Sequence, residues 1–337
     1  MKRLKDSSVG ITLRDVAHHA GVSIATASYA LNNTGHIAPE TQRRVLRAAE
    51  TLAYSPSIAA KMLKGAKGKL IAILTDGLAG PWYGELLEGL QPEISSRDFA
   101  VAAMTLQHDS LALCKSLAAA GLVRGLVLLN PVSALAPSLE PLINSLPTVA
   151  FDPEEHYRKA TKYVLDNRGG IVALMNHLWD RGFRDYLWLD GAIEEAWDAK
   201  ERYEAFKLFL DAKGLPQDCR QRAKGGFRTE ISEQAVAAVL EKGHRPRVIV
   251  AANDESAFGA INAIRKRGLD VPKDIAVAGF DGLDVSAWMF PSLTTLKFDR
   301  RSLGRSMADR ILDEIEGKEI GGITVTIPLG LIAGGST

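Results

Sequence analysis

The sequence predicts a small all-α head followed by a much larger α/β body, built as two lobes of doubly wound parallel sheet. Three observations carry this expectation. Brief helical patterns fill the first 53 residues, short apolar runs alternate with amphipathic stretches from residue 70 onward, and the formal charge divides near the same place. A chain of 337 residues exceeds the usual single-domain size, and the alternating stretch from 70 to 337 is too long for one sheet.

The first helix is announced by Thr12 with Asp15 three residues later, the spacing of a capping box. Leu13, Val16, Ala17 and Ala20 then share one face. Gly21 supplies the left-handed residue that a sharp turn needs, and Ser23 is a good N-cap for a second helix with Ala27, Ala30 and Leu31 inward. Pro39 suits the first turn of a third helix, with Val45, Leu46, Ala49 and Leu52 in a stripe, although Ala38 is a poor cap. After Tyr54-Ser55-Pro56 comes a fourth, short pattern, "SIAAKMLKG", followed by a basic glycine-containing linker. Alone in water it is too short to be stable.

Seven apolar runs in the body, among them "LIAIL", "GLVLLN", "RVIVAAN" and "DIAVAGFD", have the length and texture of buried parallel strands. Amphipathic stretches at 85–96, 169–181, 199–213, 230–242 and 255–267 supply helices between them. In such folds a ligand sits at the carboxyl ends of the strands.

Charge and composition narrow the function. Residues 1–69 hold eleven Lys and Arg against four Asp and Glu, a net of +7; the whole chain is +1, so the remainder carries −6. A basic head on an acidic body directs only the head toward a polyanion. No run approaches 18 apolar residues, and no apolar segment follows Lys2, Arg3 and Lys5, so neither a membrane span nor a secretory signal is expected. Cys114 and Cys219 lie far apart without CxxC spacing, which fits a reduced cytoplasm. The chain lacks a Gly-rich dinucleotide fingerprint, a Walker motif, HExxH and GxSxG. His18 and His19 are adjacent and diverge on a helix. No enzymatic activity, cofactor or metal is expected, although the residues alone leave open an enzyme or a ligand-binding protein with an appended head.

The second helix is unusual for a core element. Its outer positions mix hydroxyls with Ile24 and Tyr29, and small residues there permit close approach to a surface. A helix-turn-helix presents its second helix to the major groove in this manner. The stretch "ITLRDVAHHAGVSIATASYALNNTGHIAPETQRRVLRAAETLAYSPSIAAKMLKG", 11–65, resembles the lactose-repressor/purine-repressor family of bacterial transcription regulators in unbroken order.

That resemblance implies roles. Ile24, Ala25 and Tyr29 occupy base-reading positions. Thr12, Ser23, Thr26, Ser28 and Asn32 fall where the family meets the phosphate backbone, and His36 lies in a loop that reaches DNA. Leu63 matches the leucine that wedges into the minor groove, beside Lys64. Ile24 and Ala25 replace more polar residues, so apolar contact with a thymine methyl is what they offer. Ala27 stands where Val is usual.

The body resembles sugar-binding periplasmic proteins, on "DGLAGPWYGELLEGL", "LDNRGG", "AKERYEAF", "AANDESAFGAINAIRKRGLDVP", "AVAGFDGLD" and "PSLTTL". The resemblance implies effector contacts at Asp76, Trp82, Tyr83, Arg202, Phe227, Asn253 and Asp281. Trp197 and Asp198, less typical of the family, are candidates for effector identity. Arg202 could instead pair with a glutamate on its own helix, Asp281 could cap a helix, and the two aromatics could be core. Gly80 stands where the family has Asn, in a loop one residue longer, and Gly226 replaces an acidic residue.

The expected organisation is a DNA-binding head at 1–55, a hinge helix and linker at 56–69, and an effector-binding and dimerisation domain at 70–337. Its N-lobe would span about 70–166 plus 297–326 and its C-lobe 167–296 plus 327–337. The implied protein is a repressor that binds pseudo-palindromic double-stranded operator DNA as a homodimer. A carbohydrate bound between periplasmic-binding-protein-like lobes would control it, with a nucleobase as the alternative effector. The C-terminal "LIAGGST" has no leucine heptads, which favours a dimer over a tail-assembled tetramer.

Overall fold

The computed structural model describes residues 11–32, 34–54, 68–75, 77–78, 81–130, 135–151, 157–191, 197–318 and 321–337. The chain divides into two compact units, residues 1–68 and 69–337. No helix among the described residues is long and apolar enough to cross a membrane.

The first unit holds α1 (Leu13–Ala20), α2 (Ile24–Leu31) and α3 (Pro39–Thr51). Thr12 and Asp15 form a complete capping box, and Gly21 closes α1 at φ +62°. Ser23 caps α2 by accepting from Thr26 N–H at 3.1 Å. No side chain caps α3, which starts on Pro39. Val16, Ala17, Ala20, Ala27, Ala30, Val45, Ala48 and Ala49 make the core. It is built mostly from alanine, so the three helices lie close together. Leu46 departs from the expected stripe: it is 47% exposed, and Ala48 takes the inward place. One residue is a 100° rotation on a helix, enough to move a side chain from core to solvent. The expected hinge helix with Leu63 and Lys64 lies outside the described residues.

The second unit contains two six-stranded sheets. In the first, the order is β11-β5-β4-β3-β1-β2, all parallel, from β1 (Leu70–Thr75), β2 (Ala100–Thr105), β3 (Val123–Leu129), β4 (Thr148–Phe151), β5 (Thr161–Leu165) and β11 (Thr324–Ile327). In the second, the order is β12-β10-β9-β8-β6-β7, from β6 (Tyr186–Asp190), β7 (Arg220–Lys224), β8 (Val248–Ala251), β9 (Ala276–Asp281), β10 (Thr294–Lys297) and β12 (Gly330–Ile332). Only β12 runs antiparallel to its neighbour there.

Helices cover both faces: α4 (Pro81–Ser96), α5 (His108–Ala119), α6 (Ala136–Ser145), α7 (Asn167–Asp180), α8 (Trp197–Ala212), α9 (Thr229–Glu241), α10 (Asp254–Lys266), α11 (Asp284–Trp288) and α12 (Arg300–Glu316). The five helical stretches read from periodicity are present, each beginning within four residues of its expected start. β2, expected to be buried, is an edge strand that stays partly exposed along its length. The chain passes between the sheets three times, after Leu165, Lys297 and Ile327. In each sheet the strand order reverses beside the first strand, between β1 and β3 and between β6 and β8. Such a reversal opens a crevice at the strands' carboxyl ends.

Candidate functional site

In the first unit, the outer face of α2 is free of core duties. Ile24, Ala25 and Tyr29 are exposed, while Ala27 and Ala30 are buried. Ser23 Oγ lies 2.8 Å from Thr26 Oγ1, and Asn32 Nδ2 donates 2.8 Å to Ser28 O. Thr12 Oγ donates 2.6 Å to Asp15, and this bond holds the Asp15 carboxyl below its usual range. The expected phosphate-facing hydroxyls therefore also stiffen the two helices that carry them. His36 is exposed in the loop before α3.

In the second unit, most of the expected ligand residues gather at strand ends. Trp82 and Tyr83 start α4, the helix after β1. Their rings meet edge to face at 4.9 Å, Trp82 packs on Phe151 at 5.2 Å, and Phe151 stacks on Phe298 at 6.0 Å. Tyr83 accepts from Asn130 Nδ2 at 3.4 Å. Both aromatics pack against the core and remain partly open. Asp76 lies outside the described residues.

Arg202 is buried, and each of its three nitrogens is engaged within the chain. Nε donates 2.9 Å to Asn167 Oδ1, Nη1 donates 2.9 Å to Ala252 O, and Nη2 sits 2.7 Å from Asp198 Oδ2. The guanidinium lies 3.6 Å from the Phe280 ring centre. Its helical partner is therefore Asp198, not a glutamate; Glu201 instead accepts from Asn167 Nδ2 at 2.9 Å. Trp197, at the first position of α8, is largely exposed, with the Lys200 ammonium 5.8 Å from its ring.

Asn253 is the N-cap of α10: Oδ1 accepts from Ser256 N–H at 2.9 Å, and Nδ2 donates 3.4 Å to Phe227 O. Phe227 takes φ +60°, and its ring fills the space where a Cβ on Gly191 would stand. The asparagine therefore caps a helix and anchors the aromatic. Asp281 ends β9 at φ +111°, is 8% exposed, and does not cap α11, whose preceding residue is Leu283. Burial pushes its carboxyl up to about 8 despite the attraction of Arg202.

Three features escaped the sequence reading. Asp254 accepts from Leu283 N–H, Ser286 Oγ and Thr295 Oγ1 at 2.8, 2.6 and 2.6 Å, tying α10 to the loop after β9. Asp190, fully buried at the end of β6, pairs with Arg222. Arg300 pairs with Glu85 across 215 positions. The "AND" motif pointed at Asp254's neighbour; the other two pairings have no sequence signal.

A helix-turn-helix on one unit and a two-sheet body with a polar, aromatic crevice on the other are the parts of a ligand-responsive transcriptional regulator. The profile of the LacI family of bacterial regulatory proteins matches residues 12–57, and that of a periplasmic binding protein-like domain matches 175–337. The chain is 30% identical over 314 residues to the HTH-type transcriptional repressor PurR of Pectobacterium atrosepticum, covering 91% of each. With PurR of Pasteurella multocida the identity is 30% over 316 residues, covering 91% of this chain and 92% of the relative. The crystal structure of the lac repressor dimer bound to operator and the anti-inducer ONPF aligns with a TM-score of 0.82 and 27% identity, covering 97% of this chain and 99% of that one. The CelR–cellobiose complex shares the fold, with a TM-score of 0.72 at 23% identity and coverage of 97% and 100%. The chain belongs to the LacI family and is a transcriptional regulator.

Proposed function

We propose that this protein is a repressor that binds pseudo-palindromic operator DNA as a homodimer and is controlled by a sugar or sugar derivative held between the lobes. The observation that carries the reading is the outer face of α2, which offers Ile24, Ala25 and Tyr29 to solvent while small residues form its inner face. Apolar side chains on a groove-sized helix suit thymine methyls, and hydroxyls at Thr12, Ser23, Thr26 and Ser28, with Asn32 and His36, suit phosphates. Leu63 and Lys64, outside the described residues, would join them at the minor groove.

Asp281, Asn253 and the Arg202–Asp198 pair present polar groups to ligand hydroxyls, and Asp76 joins them. Trp82, Tyr83, Trp197 and Phe227 cover the ring faces, a combination suited to a carbohydrate. The body binds this ligand without transforming it, and the protein works in the cytoplasm. Trp288 and Phe290 are 88% and 90% exposed on and just after α11, with Val285 beside them. An aromatic patch of this kind suits the dimer contact. The lac repressor of known structure is likewise a dimer.

The test is binding of the full-length protein to its own upstream DNA at two salt concentrations, with and without a panel of sugars. Sequence-specific, steeply salt-dependent binding that one sugar alters is the expected result. Absence of specific binding throughout would overturn it.

A further inference from the structure

One buried cation joins the two lobes. Arg300 opens α12, which lies against α4 so closely that a Cβ on Gly89 would collide with the carbonyl of Arg301, and one on Gly304 with that of Leu86. The two helices therefore form one rigid body on the first sheet. From it, Arg300 directs Nε and Nη2 to Glu85 Oε2 at 2.9 and 2.8 Å. The other edge of the guanidinium crosses to the second sheet, where Nη1 donates to Asp281 O and Nη2 donates 3.1 Å to Gly282 O. Arg300 is 1% exposed. The carbonyls it grips belong to two successive left-handed residues, at φ +111° and +60°. A non-glycine residue in that region is strained and persists only where its surroundings enforce it.

We propose that Arg300 is a positioning residue for ligand recognition: from the opposite lobe, it holds Asp281 in the backbone conformation that presents its carboxyl group to the cleft. The proposal rests on the reading of Asp281 as an effector contact. Separating the lobes would break both hydrogen bonds to the carbonyls, which are strong because the donor is charged. Asp281 would then relax toward an ordinary conformation. The ligand-ready geometry therefore exists only in this arrangement of the lobes. A ligand that hydrogen-bonds the carboxyl group favours this arrangement through a contact unavailable in the other, as a coupled equilibrium requires.

A lysine can neutralise Glu85 but cannot fork to two carbonyls as well. Arg300→Lys thus separates holding the loop from balancing the buried charge, whereas an apolar substitution would strand Glu85. The measurement is hydrogen–deuterium exchange on the ligand-free full-length protein, followed over 281–288, where the amides of Gly282, Leu283 and Ser286 are hydrogen-bonded. We expect Arg300→Lys to exchange at least ten-fold faster there, with other segments unchanged. Glu85→Gln, which keeps an acceptor for the arginine, should stay within two-fold of the parent. A crystal structure of Arg300→Lys should show Asp281 at negative φ. Parent-like exchange in this segment, or loosening spread evenly over the body, would overturn the proposal. Asp281→Asn tests the underlying reading separately: an undiminished response of DNA binding to the sugar panel would remove Asp281 as an effector contact, and the positioning role with it.

Discussion

The guanidinium of Arg202 lies 2.7 Å from the carboxylate of Asp198, one turn earlier on the same helix. Two residues expected to hold a ligand hold each other, and Asn167 and Ala252 accept from the other two guanidinium nitrogens. The pair is preformed, its geometry set by bonds within the chain. Removing the buried cation leaves three acceptors unserved, so Arg202→Ala should cost about 3–5 kcal/mol in urea unfolding. Asp198→Asn keeps a hydrogen-bond acceptor but removes the charge facing the buried guanidinium, so it should cost less, about 1–3 kcal/mol. Equal losses in the two variants would contradict the asymmetry.

Asp281 makes stability depend on pH. Its folded-state pKa, about 8, is raised above the ordinary value of 3.8 by burial. A raised acid favours folding while protonated, so its contribution is fully present below about pH 4 and is lost as the pH rises toward 8. The melting temperature of the parent should therefore fall relative to Asp281→Asn between pH 6 and pH 9. Parallel melting curves across that range would contradict a buried, raised carboxyl.

Asn253 joins the start of α10 to the Phe227 backbone. Replacing it with Ala removes the cap of α10 and the anchor of the Phe227 carbonyl. A lost cap costs about 1 kcal/mol. Thermal unfolding of Asn253→Ala should show at least that loss. Tryptophan fluorescence should also lose any response to a sugar that shifts the parent, since Phe227 is no longer held.

Tyr29 is half exposed on α2, and its ring lies 3.7 Å from where a Cβ on Gly35 would stand. Tyr29→Ala removes no core contact, so the head should keep its helicity by circular dichroism. Operator affinity in an anisotropy titration should fall roughly ten-fold, about 1.4 kcal/mol, while non-specific binding changes little. Equal losses on both DNAs would show that the residue does not read sequence.

The exposed aromatics after β9 test the assembly. Phe290→Glu should halve the apparent mass in light scattering without changing the far-ultraviolet spectrum. A dimer that survives Trp288→Glu and Phe290→Glu together must use another surface.

The helices of the head were legible because each is marked by short-range chemistry: Thr12 answered by Asp15, Gly21 in the turn, Ser23 before α2. The body's alternation was legible for a similar reason, since buried parallel strands are short apolar runs. Leu46 escaped because a stripe of apolar residues does not say which edge of it faces water. Asn253 and Asp281 were singled out because a motif carried them, and both lie at strand ends. Their working partners were not found: Arg300 meets Glu85 and Asp281 only after the chain has passed between the sheets, and no local pattern encodes that meeting. Asp198 was named as a ligand contact, but its bond to Arg202 is a matter of rotamers within one turn.

The three passages of the chain between the sheets also bear on how the protein is made. The first sheet begins at Leu70 but is completed only by β11, and α4 gains its partner α12 only when residues 300–316 are available. The three-helix head has its core within residues 16–49 and can assemble soon after it leaves the ribosome. The body must hold an unfinished sheet until almost the whole chain has emerged, and contacts over such sequence separations form slowly. During synthesis a folded head thus precedes a body that cannot yet sense anything, and the nascent interval is where apolar strand edges are exposed to aggregation and chaperone capture.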